Sequence, residues 1–301
     1  MGLPAKKPQR FVVSVRQYPE RGGLVATNIS EPQPTTLVGF RHVLMLMHGF
    51  NNTASAAHES YEILIGQLGS RLQQLHEPID AILEFQWPGN VAVISFFKYL
   101  DFAGYPADIS QALLSSQTLA DYFRQLAAAG GALLKVSIIG HSLGCRLALE
   151  MMRNVANTPR PQLGMVALMA PAVPVTLVDS PQDPAAYLTS TDLLPQSLLK
   201  FHSTADVVLA DAFPAGQTLA YLMNIESSPY LEAVGHLGNP ANFGDSRAMS
   251  GNGHGDYWAD PRVSNDIIAA LDPTKQTRIQ GRKLPVPREL PPRRDPENPV
   301  F

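Results

Sequence analysis

Three short, largely apolar runs constrain the fold of this chain most: residues 42–47 (HVLMLM), 133–139 (LLKVSII) and 165–169 (MVALM). Each is too short for a packed helix and too continuous for a strand with one wet face. The combination predicts strands buried on both faces, as in a mostly parallel central sheet with helices on both faces. Helical stripes lie between them. Residues 53–75 align Tyr61, Leu64, Ile65, Leu68 and Leu72, and residues 142–155 align Leu143, Leu147, Met151 and Val155. Further strands are predicted at 11–16, 79–85 and 198–202, and further helices at 109–128 and 263–271. Strands alternating with helices specify βαβ units and an α/β architecture.

The 301 residues, 45% of them hydrophobic, suffice for one large domain, predicted over residues 1–272. Residues 273–301 differ: seven prolines and seven Lys or Arg predict an extended, Pro-rich basic tail, packed on the surface or disordered. Docking of a partner through Arg282, Lys283, Arg288, Arg293 and Arg294 is the rival reading of the tail. Charged residues make up only 16% of the chain and the net charge is -3, so nothing calls for nucleic acid or an anionic membrane. No apolar run is long enough to span a bilayer, and no apolar segment follows the basic start MGLPAKKPQR. The single cysteine, Cys145, excludes an intrachain disulfide. The expectation is a cytoplasmic protein acting on a small molecule. No metal-ligand spacing and no nucleotide loop appears, so no cofactor is expected.

One pentapeptide carries chemistry. Gly140-His141-Ser142-Leu143-Gly144 matches G-x-S-x-G and sits where a β-branched strand gives way to an amphipathic helix. A serine presented on so sharp a turn needs small neighbours, and glycine on both sides supplies them. The helix that follows turns its unpaired N–H groups and positive dipole end toward the serine. At about 7% glycine, an accidental match in a chain of this length is roughly a one-in-ten event, and fewer accidents fall between a strand and a helix. The structural alternative is a glycine-eased turn whose serine merely caps the helix. Cys145, within that helix pattern, is expected to be a buried small residue rather than a nucleophile.

This segment resembles the nucleophile elbow of the α/β-hydrolase superfamily. Upstream, Met47-His48-Gly49-Phe50-Asn51-Asn52 closes an apolar strand and is similar to that superfamily's H-G-[FY]-N oxyanion segment. The succession LMHGFNNT, FQWPG, GHSLG, LMAPAV, STADVVL and HGDYW, over roughly residues 40–270, resembles a bacterial subgroup of serine α/β hydrolases of unknown function. The resemblance implies an α/β-hydrolase fold, with Ser142 as nucleophile and the acid and histidine following it in that order. It implies His254, in SGNGHGDYWAD, as the base, on a loop after the final strand. His236 is the rival, and His202 is better read as structural. For the acid it implies Asp206, with Asp211, Asp192 and Asp183 as rivals, and helix capping is the plain alternative for an Asp so placed. The oxyanion donors implied are the backbone N–H groups of Phe50 and Leu143. Asn51 and Asn52 either line the site or cap the next helix.

The function expected is therefore a serine hydrolase cleaving a carboxylic ester through an acyl-enzyme, esterase- or lipase-like. Amide or thioester hydrolysis on the same residues is one alternative, and a non-catalytic binding protein of the same fold is another. The aromatic stretch Phe96, Phe97, Tyr99, Phe102 and Tyr105 and the segment 172–197 are candidates for a lid or acyl pocket. Oligomeric state is not legible.

Overall fold

The computed structural model describes residues 7–18, 25–90, 104–179, 195–238, 243–272 and 274. Most of the aromatic stretch 91–105, most of 172–197 and almost all of the tail lie outside them. Seven strands among the described residues form one sheet: β1 (Gln9–Ser14), β2 (His42–Met47), β3 (Ala81–Gln86), β4 (Lys135–His141), β5 (Gln162–Met169), β6 (Ser197–His202) and β7 (Asp245–Ala248). Their order is β1-β3-β2-β4-β5-β6-β7, and every pairing is parallel. The sheet is thus wholly parallel where it is described. Every residue of β2 is buried, as its unbroken apolar run requires.

Four longer helices lie between strands and a fifth follows the last: α1 (Ala54–Leu68), α2 (Tyr105–Ala128), α3 (Leu143–Asn154), α4 (Phe213–Leu222) and α5 (Pro261–Leu271). The chain steps one way along the sheet from β2 through α1 to β3, and the other way from β4 through α3 to β5. Right-handed crossovers in opposite directions place α1 and α3 on opposite faces. The packing agrees: α1 meets α5, while α2 meets α3 and α4.

Several boundaries depart from expectation for local reasons. The helix expected to run to residue 75 stops at Gly69, whose φ of 54° ends α1, and a 3-10 turn, Gly69–Gln73, takes over. Helix α2 begins four residues earlier than expected because Pro106 sits in its first turn, where its missing N–H is no loss. Strand β1 ends at Ser14, and Arg16 leaves the parallel ladder for an isolated antiparallel bridge to Val25. Strand β7, DSRA, was not expected at all. It is a half-exposed edge strand with no apolar run to betray it.

The reversal from β4 to α3 is the tightest point of the fold. Ser142 has φ 53° and ψ -124°, a conformation that side chains other than glycine rarely adopt. It is held on several sides: its N–H donates to Met169 O at 2.9 Å, and its carbonyl accepts from Cys145 N at 3.0 Å and Ala172 N at 3.2 Å. Space requires glycine at 144 and is tight at 140. A Cβ on Gly144 would lie 2.2 Å from the His48 carbonyl oxygen, and one on Gly140 would lie 3.1 Å from the Cys145 backbone. The turn therefore also locks α3 against the end of β2. We expect Gly144→Ala to destabilise the protein by about 2 kcal/mol or more, since backbone rather than a flexible side chain would have to move. That corresponds to a fall in Tm of roughly 5 °C. Gly66→Ala, in open space on α1, should leave Tm unchanged or raise it. Equal Tm values for the two variants in a thermal melt contradict the packing described.

Candidate active site

Ser142, at the head of α3, meets two side chains brought in from later in the chain. Its Oγ lies 2.8 Å from His254 Nε2, and His254 Nδ1 lies 2.8 Å from Asp206 Oδ2. A carboxylate only accepts, so His254 Nδ1 carries the proton and Nε2 is left to accept from the serine hydroxyl. Asp206 is fully buried and Ser142 nearly so, whereas the His254 side chain keeps 19% of its surface exposed. A line of this kind can move a proton off a serine while a buried carboxylate steadies the imidazolium that forms.

Asp206 does two jobs. Its second oxygen, Oδ1, accepts from Leu209 N at 3.1 Å and so caps the π-helical turn Val208–Ala212. One carboxylate thus both caps a turn and pairs with His254. The rivals lie elsewhere. Asp211 is exposed on the π turn, His236 sits in the short turn Val234–Leu237, and His202 accepts from or donates to Ser246 Oγ at 3.1 Å. Asp183 and Asp192 fall outside the described residues. Cys145 is buried with its thiol toward Met169 O, and burial pushes its pKa up, so it stays protonated.

The loop that carries His254 is pinned rather than loose. Asp256 Oδ2 accepts from Gly253 N at 2.7 Å, and Asn252 is held between Asp260 at 2.9 Å and Arg262 at 2.6 Å. Beneath it, His141 Nε2–H donates to the His254 backbone carbonyl at 2.7 Å, and the two rings lie 5.0 Å apart. His141 is buried, and burial, followed by the neighbouring His254, lowers its pKa to about 3.

The segment after β2 is held just as firmly. Trp87 donates from its backbone N–H to His48 Nε2 at 3.3 Å and from its indole to the His48 carbonyl at 2.9 Å, and the two rings stack 5.3 Å apart. His48 Nδ1–H therefore donates to Gly49 O at 2.9 Å. Arg16, expected to be an ordinary strand residue, reaches in with its guanidinium to the Asn52 carbonyl, to His48, and to Asn90 Oδ1 at 2.7 Å. Thr53, not either asparagine, caps α1, accepting from Ala56 N at 3.2 Å. Asn51 and Asn52 line a cavity of about 380 Å3 together with Phe50, Ser142 and His254. Phe50 thus lines the site, and Leu143 opens α3, whose first N–H groups have no partner within the helix.

The alpha/beta hydrolase family of unknown function (DUF900) matches residues 37–212, more than half of the chain. The chain belongs to this family. The matched span of this α/β hydrolase holds Phe50, Ser142, Leu143 and Asp206 and ends before His254. Among solved structures, a Pyrobaculum calidifontis esterase is similar at 16% identity over 78% of this chain and 77% of its own, with a TM-score of 0.40. A Listeria innocua gene product shows 14% identity over 79% and 96%, with a TM-score of 0.45. A Xanthomonas campestris α/β serine hydrolase without a lid shows 13% over 77% and 79%, with a TM-score of 0.35. No curated protein matches the chain.

Away from this site, the ligand atoms of His58, Glu62 and Glu84 lie within 4.8 Å of one another, but Arg10 pairs with both carboxylates. No helix among the described residues is long and apolar enough to cross a membrane.

Three buried histidines give this α/β hydrolase a pH signature. Desolvation, the largest cause for each, lowers His42 to about 4 and His48 and His141 to about 3. The unfolded chain protonates such groups near pH 6.5. Their neutral forms stabilise the fold fully above that value, and the contribution is lost as pH falls from about 6.5 toward 4, where the unfolded state binds up to three more protons. Stability should fall with a slope approaching about 4 kcal/mol per pH unit near pH 5. Urea unfolding at pH 7.5, 6 and 5 reads this directly, and a flat stability between pH 7 and 5 contradicts it.

Proposed function

We propose that this α/β hydrolase is a serine hydrolase that cleaves a carboxylic ester in two acyl-transfer steps. The observation that carries the reading is the unbroken line of 2.8 Å hydrogen bonds from Ser142 Oγ through His254 to the buried Asp206. In the first step His254 Nε2 takes the proton of Ser142, whose Oγ attacks the ester carbonyl. Charge then develops on the carbonyl oxygen, and the backbone N–H groups of Phe50 and Leu143 are the donors for it. The tetrahedral intermediate collapses as His254 returns the proton to the leaving alcohol. In the second step His254 takes a proton from water, which attacks the acyl-enzyme, and returns it to Ser142 Oγ as the acyl–oxygen bond breaks and the acid leaves. Asp206 holds His254 in the tautomer needed and balances its charge in both steps. Every group used belongs to the chain, the substrate or water.

The strained backbone at Ser142 supports the reading, because so unfavourable a conformation persists only where the surroundings enforce it. A capping serine would not need it, and Ser142 makes no side-chain cap to its own helix. Hydrolysis of p-nitrophenyl butyrate is the test. Ser142→Ala should lower kcat by about 10^4-fold or more, and Asp206→Asn by about 10^3- to 10^4-fold, with far-UV circular dichroism unchanged. A Ser142→Ala variant as fast as the wild type overturns the assignment.

A further inference from the structure

We infer that the substrate is an uncharged ester with an apolar acyl group of short to medium length, and that Phe213 limits that length. The inference rests on the hydrolase reading and gives it a substrate class. The leaving oxygen must take its proton from His254 Nε2, so the alcohol half of the substrate lies on the His254 side, beside Gly255 and Trp258. The acyl half then runs the other way, past Phe50. That wall is a chain of edge-on rings: Phe50 to Tyr105 at 5.6 Å, and Tyr105 to Phe213 at 6.4 Å. Leu209 and Ala212 complete it.

The polar end of Tyr105 does not alter this character. It is buried and turned toward Gln217, whose Nε2 donates to the phenol oxygen at 3.4 Å, and burial raises its pKa so that it stays neutral. Among the described residues lining the cavity there is no Lys, Arg, Asp or Glu. A charged acyl group would lose its hydration there and meet no counter-charge. The volume, about 380 Å3, is near the lower end of the roughly 300–1,000 Å3 usual for small-molecule sites. It suits a few acyl carbons and a small alcohol, not a long fatty chain. Phe213 is two rings removed from Phe50 and buried at the base of α4, so its ring is the stop an extending chain meets.

The experiment is a series of p-nitrophenyl esters, from acetate through butyrate and octanoate to dodecanoate, with the hemisuccinate as the charged member, each compared by kcat/KM. Expected is an optimum at butyrate or octanoate, with dodecanoate and hemisuccinate at least 10-fold lower. Phe213→Ala should raise the octanoate-to-acetate ratio several-fold, and Ala212→Leu, which narrows the same wall, should lower it. A flat series, a preference for dodecanoate or hemisuccinate, or a ratio unmoved in both variants overturns the inference. Acetate hydrolysis lost in Ser142→Ala separates the two levels. Where it is lost but the profile fails, only the substrate class falls. Where no ester is cleaved through Ser142, the hydrolase reading falls and takes the substrate class with it.

Discussion

The close approach of α3 to the end of β2 is the constraint on which the rest depends. With Gly144 almost touching the His48 carbonyl, the chain leaves β4 through a backbone conformation that only strong neighbouring contacts can hold. The same contact ties Ser142 to the segment His48–Asn52, so the serine and that segment are set by one packing event rather than by two loops that must find each other. The parallel sheet makes this possible. Its strands all end on one edge, and β2 and β4 are neighbours, so their outgoing loops meet.

Around that fixed point several polar side chains, some of them buried, act on positioning. Arg16, His48 and Trp87 hold the segment that follows β2, while His141, Asp256, Asp260 and Arg262 hold the His254 loop. His48 and His141 serve as neutral rings, and burial keeps them so. A second cation beside His254 would oppose the imidazolium that the proposed proton transfer creates, so the low pKa of His141 suits that mechanism as well as the fold.

Much of this is written locally in the sequence. Doubly buried strands declare themselves as unbroken apolar runs, and the glycines around Ser142 declare a crowded turn. Other features are not local. Strand β7 carries polar residues because it sits half exposed at the sheet edge, and no periodicity marks it. The turn Val208–Ala212 and α4 hide behind Pro214 and Gly216, which suggest a break. Pro214 instead occupies a first-turn position, and Gly216 makes room for the Tyr105 ring. The role of Arg16 has no signal at all, because its side-chain partners come from two separate segments, one after β2 and one after β3. His254 and Asp206 were suggested by resemblance and order, and only three dimensions bring them within 2.8 Å of each other. Trp87, legible as the end of a strand, gave no hint that its indole would brace His48.

An activated serine is a chemical property as well as a geometric one, and a fluorophosphonate probe reads it without knowledge of the substrate. The decisive measurement is intact-mass and peptide mapping of the native protein after such labelling. Expected is one adduct per chain on Ser142, formed far more slowly in His254→Ala and at the wild-type rate in His236→Ala. An adduct on any other residue, or labelling that His254→Ala leaves untouched, contradicts the triad.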